Sequence, residues 1–89
     1  MILHTFNKKA ALETSAHFVS ADDQVLLIED GVYALLDAEF SLPTGNVCVL
    51  EADVITRGIA SKVGADVKKV SYQDFVQMCC DAESVSNWS

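Results

Sequence analysis

Four short apolar stretches punctuate the chain: Ile2-Leu3, Val25-Leu26-Leu27-Ile28, Val47-Cys48-Val49-Leu50, and residues 67–70. The middle two are continuously apolar and do not alternate. Such runs fit strands covered on both faces, as in a parallel sheet. Helix signals lie between them. Asn7 is placed to cap a first helix over residues 8–19, with Leu12, Ser15, Ala16 and Val19 on one face. Asp30-Gly31 opens a segment over residues 32–36 that is apolar almost all round, as in a helix buried on most sides. Asp53 can start a short third helix that Gly58 ends in a left-handed cap. Ser71 and Asp74 resemble a capping box for a last helix, behind which Tyr72, Phe75, Val76 and Cys79 form one apolar stripe.

Strand and helix therefore alternate, which implies right-handed crossovers and a small, mostly parallel sheet flanked by helices. Pro43-Thr44-Gly45 reads as a turn. An edge strand around residues 39–42 is weakly indicated, and residues 81–89 read as a weakly structured end. With 89 residues the chain accommodates one domain, 1–89.

Composition changes this picture in one respect. Hydrophobic residues make up 51% of the chain, above the roughly 45–50% usual for globular domains. So short a chain has little interior, so apolar side chains should reach its surface and be hidden against another subunit. Gly31, Val32, Tyr33, Leu35, Leu36 and Trp88 are the candidates for that interface. Six Lys and Arg against thirteen Asp and Glu give a net charge of −7. That balance argues against a dominant phosphate-binding surface, since nucleic-acid affinity comes mostly from basic charge. No apolar run reaches the roughly 18 residues of a membrane span, and the N-terminus does not read as a signal peptide. Three cysteines point to a reducing, cytoplasmic setting.

Little in the sequence announces chemistry. His4, Thr5, Asn7, Glu29, Asp30, Glu51 and Asp53 fall near strand ends, where open parallel sheets bind ligands. No glycine-rich phosphate loop is present. The spacing of His4, His17 and the cysteines matches no zinc pattern, and neither metal nor cofactor is expected. Cys48 sits inside a strand as a small hydrophobe. Cys79 and Cys80 are adjacent and form no Cys-x-x-Cys pair. Cys80 points away from the packing stripe and is the candidate persulfide carrier among the three. Lys8 and Lys9 open the first helix, as solvated lysines or as an anion contact.

Taken together, Leu3-His4-Thr5, Leu26-Leu27-Ile28-Glu29-Asp30-Gly31-Val32-Tyr33, Val49-Leu50-Glu51-Ala52-Asp53 with Arg57-Gly58, Tyr72-Gln73-Asp74-Phe75-Val76 and Trp88 resemble the TusB/DsrH family. The resemblance runs the length of the chain in the family's order. It implies a flavodoxin-like DsrE/DsrF/DsrH-like fold and a place in a sulfur relay. It further implies TusC-like and TusD-like partners in a heterohexamer. That complex takes persulfide sulfur from a TusA-like donor and passes it through a TusE-like acceptor, toward 2-thiouridine at the tRNA wobble position. DsrH-type members carry a first-helix cysteine. Here residues 8–20 contain none, and Ser15 stands near that position. A hydroxyl cannot hold a persulfide. The departure favours a non-catalytic, TusB-like subunit over a DsrH-like subunit of a sulfur-oxidation complex. A homo-oligomeric sulfurtransferase using Cys80 is the third alternative.

Overall fold

In the computed structural model, which describes residues 1–89, the continuous apolar runs become strands with both faces covered. β1 (Ile2–Phe6), β2 (Gln24–Leu27), β3 (Val47–Leu50), β4 (Lys68–Val70) and β5 (Ser84–Trp88) form one five-stranded sheet in the order β4-β3-β2-β1-β5. Every neighbouring pair is parallel. Side-chain alternation splits each run between two cores. Val25, Leu27 and Val49 join Phe6 on one face, whereas Leu26, Cys48 and Leu50 join Leu3 and Val70 on the other.

The connections explain which helix covers which face. From β1 to β4 the chain advances across the sheet in one direction, and right-handed crossovers keep those connections on one side. There α1 (Lys9–Ser15), a 3₁₀ segment (Glu29–Leu36) and α2 (Glu51–Thr56) supply Ala11, Leu12, Val32, Ala34 and Val54 to the first core. The return from β4 to β5 runs the other way. Its helix α3 (Tyr72–Asp81) therefore lies alone on the second face, packing Phe75, Met78, Cys79 and Ala82 against it.

Several local expectations shift. The first helix is shorter than residues 8–19: it ends at Ser15 and tightens into a 3₁₀ turn, Ala16–Phe18. Thr14 lies at this end, with its hydroxyl donating to the Ala10 and Ala11 carbonyls at 3.2 Å, a local bond that competes with helical continuation. Lys8, not Asn7, occupies the N-cap, without a side-chain bond. Residues 39–42 form no strand, although Phe40 and Leu42 lean on the first core. Thr44 fixes this loop by donating to the Asp23 carbonyl at 2.7 Å.

The expected buried helix at residues 32–36 is wound as 3₁₀. Its period of three residues per turn puts Tyr33 and Leu36 on one outward ridge. Gly31 lies against the end of β1: a Cβ there would run into the Phe6 carbonyl oxygen. The third helix begins at Glu51, two residues before the expected Asp53, and Gly58 follows it at φ 71°, the left-handed cap expected.

The Ser71–Asp74 capping box is present in both directions. Asp74 N–H donates to Ser71 Oγ at 3.1 Å, and Ser71 N–H donates to the Asp74 carboxylate at 3.2 Å. Replacing Ser71 by alanine is expected to cost about 1 kcal/mol, read as a lower urea midpoint at unchanged slope.

The largest difference lies at the C-terminus. Residues 84–88 are an ordered edge strand, paired in register from Ile2↔Ser84 to Phe6↔Trp88.

Candidate functional site

At the carboxyl edge of the sheet Asp30 and Asp53 are both engaged with one arginine. Arg57, 21% exposed, donates through Nε to Asp30 Oδ1 at 2.9 Å and places Nη1 3.5 Å from Asp53 Oδ1. The other Asp53 oxygen accepts the Glu29 N–H at 2.7 Å. This bond holds Glu29 at φ 50°, a left-handed conformation uncommon outside glycine. Hydrogen bonding to Asp30 raises the Arg57 pKa further. Arg57 thus clamps α2 to the turn after β2. None of the molecule's three cavities is lined by Glu29, Asp30, Glu51 or Asp53. The edge offers no enclosed pair of carboxylates for acid–base work. Asn7, also at this edge, has a buried Oδ1 with no partner.

His4 is not at a strand end. It lies within β1, 2% exposed. The Trp88 indole N–H donates to His4 Nδ1 at 3.0 Å, and His4 Nε2 lies 2.9 Å from Asp23 Oδ2. Indole can only donate, so Nδ1 accepts and Nε2 is left as the donor to Asp23. Both ring nitrogens are occupied, and the imidazole has none free for a substrate. Asp23 also accepts the N–H groups of Ser20 at 2.9 Å and Ile2 at 3.0 Å. The Ser20 bond first, then His4, then Ile2, outweigh burial and hold its carboxyl at a pKa of about 2. Phe6, His4, Trp88 and Phe18 continue as a stack, with Phe18 and Trp88 5.1 Å apart and 9° from parallel. On the opposite face Thr5 donates to Asn87 Oδ1 at 2.6 Å. These bonds fix β5, and with it Trp88, to the centre of the fold. Sequence reading missed them because they join residues far apart in the chain.

The cysteines occupy three environments. Cys48 is buried under α3 at a pocket of about 200 Å³ shared with Gln24, Lys68 and Asp81. Burial pushes its thiol pKa up, more than Gln24 and Lys68 lower it. Cys79 is half-buried and raised by burial as well. Cys80 is exposed near the end of α3. No cysteine lies on α1, where Ser15 is half-buried. Lys9 is paired with Asp37 at 3.0 Å.

The candidate interface residues divide. Gly31 and Val32 turn inward and belong to the chain's own interior, because the 3₁₀ segment packs that side on Phe6 and the first core. Leu35 and Trp88 are half-buried against the same core. Tyr33 and Leu36 are exposed, at 39% and 46%. The surface also carries apolar residues outside that set: Phe18, Ile55, Tyr72 and Val76. Tyr72 and Val76 leave the expected inward stripe because a single helix crossing a sheet touches it along one line, here Phe75, Met78, Cys79 and Ala82. Tyr72 at the start of this helix, beside its polar cap, was the available sign of an outward position.

These features define a small, all-parallel α/β protein built on the fold seen in the crystal structure of the Escherichia coli YchN protein. That chain superposes with a TM-score of 0.62 at 15% identity, over 97% of this chain and 96% of its own. The profile of the DsrH-like protein family matches residues 6–85. TusB proteins of Escherichia coli O81 (strain ED1a) and O1:K1 / APEC are 30% identical over 95 residues, covering 98% of this chain and 100% of theirs. The chain belongs to the TusB/DsrH family.

Proposed function

We propose that the chain is a non-catalytic subunit of a cytoplasmic sulfur-relay complex of TusB type, supporting persulfide transfer toward 2-thiouridine at the tRNA wobble position. One observation carries the reading: the chain matches TusB proteins over nearly its whole length, yet α1 has no cysteine and Ser15 stands in that region. An oxygen nucleophile cannot enter thiol–persulfide exchange. The remaining thiols add little support for catalysis, since burial disfavours the thiolate at Cys48 and Cys79. The absence of an enclosed polar cavity at the sheet's carboxyl edge fits a supporting role. In this reading the exposed Tyr33–Leu36 ridge meets TusC-like and TusD-like chains, and no contact with tRNA is required.

The test is co-expression with TusC-like and TusD-like chains from the same source. A complex containing all three is expected, and the chain's own mass should be unchanged after loading with a persulfide donor. Failure to co-elute overturns the complex. A sulfur adduct on Cys80, lost in Cys80→Ser, replaces the supporting role with a sulfur-carrying one.

A further inference from the structure

The two edges of the sheet are unlike. At β4 the edge strand has three residues and begins with Lys68 and Lys69, both exposed. Such charges keep two edges apart. At β5 the edge is five residues long, Ser84-Val85-Ser86-Asn87-Trp88, with no charge, no proline and no bulge in its pairing with β1. In an acidic chain of net charge −7 this is a neutral strip. The neighbouring Glu83 is 3.2 Å from the Met1 ammonium group.

The register states which backbone groups are free. The Phe6 carbonyl accepts from Ile28 N–H on the β2 side, so Leu3, Thr5 and Asn7 face β5, and the Asn7 N–H donates to the Trp88 carbonyl at 3.4 Å. With Leu3 opposite Val85 and Thr5 opposite Asn87, the parallel ladder turns Ser84, Ser86 and Trp88 toward β1, and directs the N–H and C=O of Val85 and Asn87 outward. Side chains alternate as well: Trp88 packs on the first core, so Ser84 and Ser86 share its face, and Val85 and Asn87 share the other.

We infer that this edge pairs with a second copy of the chain, antiparallel, about a twofold axis through Ser86. The pairing is self-complementary. Val85 lies opposite Asn87 as a doubly hydrogen-bonded pair, once on each side of the axis. Between them Ser86 meets Ser86 of the other copy, and Ser84 lies opposite Trp88. Large therefore faces small on the crowded side. Phe18, 56% exposed and stacked on Trp88, gains cover over the other copy's small Ser84 and Ser86. A twofold axis makes such a contact closed, so it stops at the dimer. The inference does not depend on the relay reading; a chain that stays monomeric alone overturns the dimer and leaves the relay reading untouched.

Sedimentation equilibrium of the purified chain up to millimolar concentration should show a species of twice 9.6 kDa. Amide exchange at Val85 and Asn87 should slow as concentration rises, with Ser86 unchanged. Val85→Pro removes only an outward N–H, which edge strands tolerate, and should weaken the dimer by about tenfold or more. Ser86→Lys, which sets two cations on the axis, should do the same, and unchanged far-ultraviolet circular dichroism shows that each variant folds. A monomer throughout the concentration range overturns the proposal. So does a dimer indifferent to both substitutions, or one whose Val85 and Asn87 amides exchange freely.

Discussion

Replacing Trp88 by alanine is expected to destabilise the chain by about 3 kcal/mol, at the lower end of the range for large aromatic truncations because the side chain is only half-buried. The loss has two parts. The indole contacts the first core and stacks beside Phe18, His4 and Phe6, which alanine cannot replace. Its N–H also satisfies His4 Nδ1. Removing that donor leaves a buried ring nitrogen unpaired, a cost of about 1 kcal/mol or more. Trp88→Phe separates them: it keeps most of the stacking, drops the donor, and should cost about 1 kcal/mol. Urea denaturation followed by far-ultraviolet circular dichroism measures both, since Trp88 is the only tryptophan and its fluorescence is lost with it. A cost near zero for Trp88→Ala would show that the C-terminal strand contributes nothing to the fold.

That strand was the element least visible in the sequence. Its two large apolar side chains sit on opposite faces of an exposed edge, so no hydrophobic run marks it. Its order comes from partners distant in the chain: Trp88 reaches His4 across 84 positions and Asn87 reaches Thr5 across 82. Central strands are legible because burial on both faces writes a continuous run, as at Val25-Leu26-Leu27. Local devices are legible for the same reason: the Ser71–Asp74 box and Gly58 act within a few residues of themselves. The 3₁₀ winding of Glu29–Leu36 was not, since an almost uniformly apolar segment carries no period with which to distinguish 3.0 from 3.6 residues per turn. The apolar excess of so short a chain sent Gly31 and Val32 to the surface in the reading of the sequence, where of the segment Tyr33 and Leu36 lie exposed. The chemistry divides likewise. Burial of Cys48 follows from its strand, but the Arg57 clamp on Asp30 and Asp53 depends on how α2 docks beside β2.

Asp23→Asn is expected to cost about 3 kcal/mol near neutral pH, because three groups share this one carboxylate: His4 Nε2 and the N–H groups of Ser20 and Ile2. An amide offers a single acceptor oxygen and points its own N–H₂ at one of those donors. The charge makes the effect pH-dependent with a defined sign. The folded-state pKa of Asp23 is held at about 2, below its unfolded value of 3.8. The folded form therefore favours the ionised state. That preference is worth about 2 kcal/mol once the pH is above the unfolded value. It fades as the pH falls from about 4 through 2, where both states bind the proton. Asparagine has no such proton to bind. The gap between the native chain and Asp23→Asn should thus shrink from about 3 kcal/mol near neutrality to about 1 kcal/mol near pH 2. Denaturant midpoints of both proteins across that range give the difference directly, and subtracting one from the other cancels the titration of the remaining carboxylates. A gap independent of pH would mean that Asp23 holds His4, Ser20 and Ile2 by shape alone, without its charge.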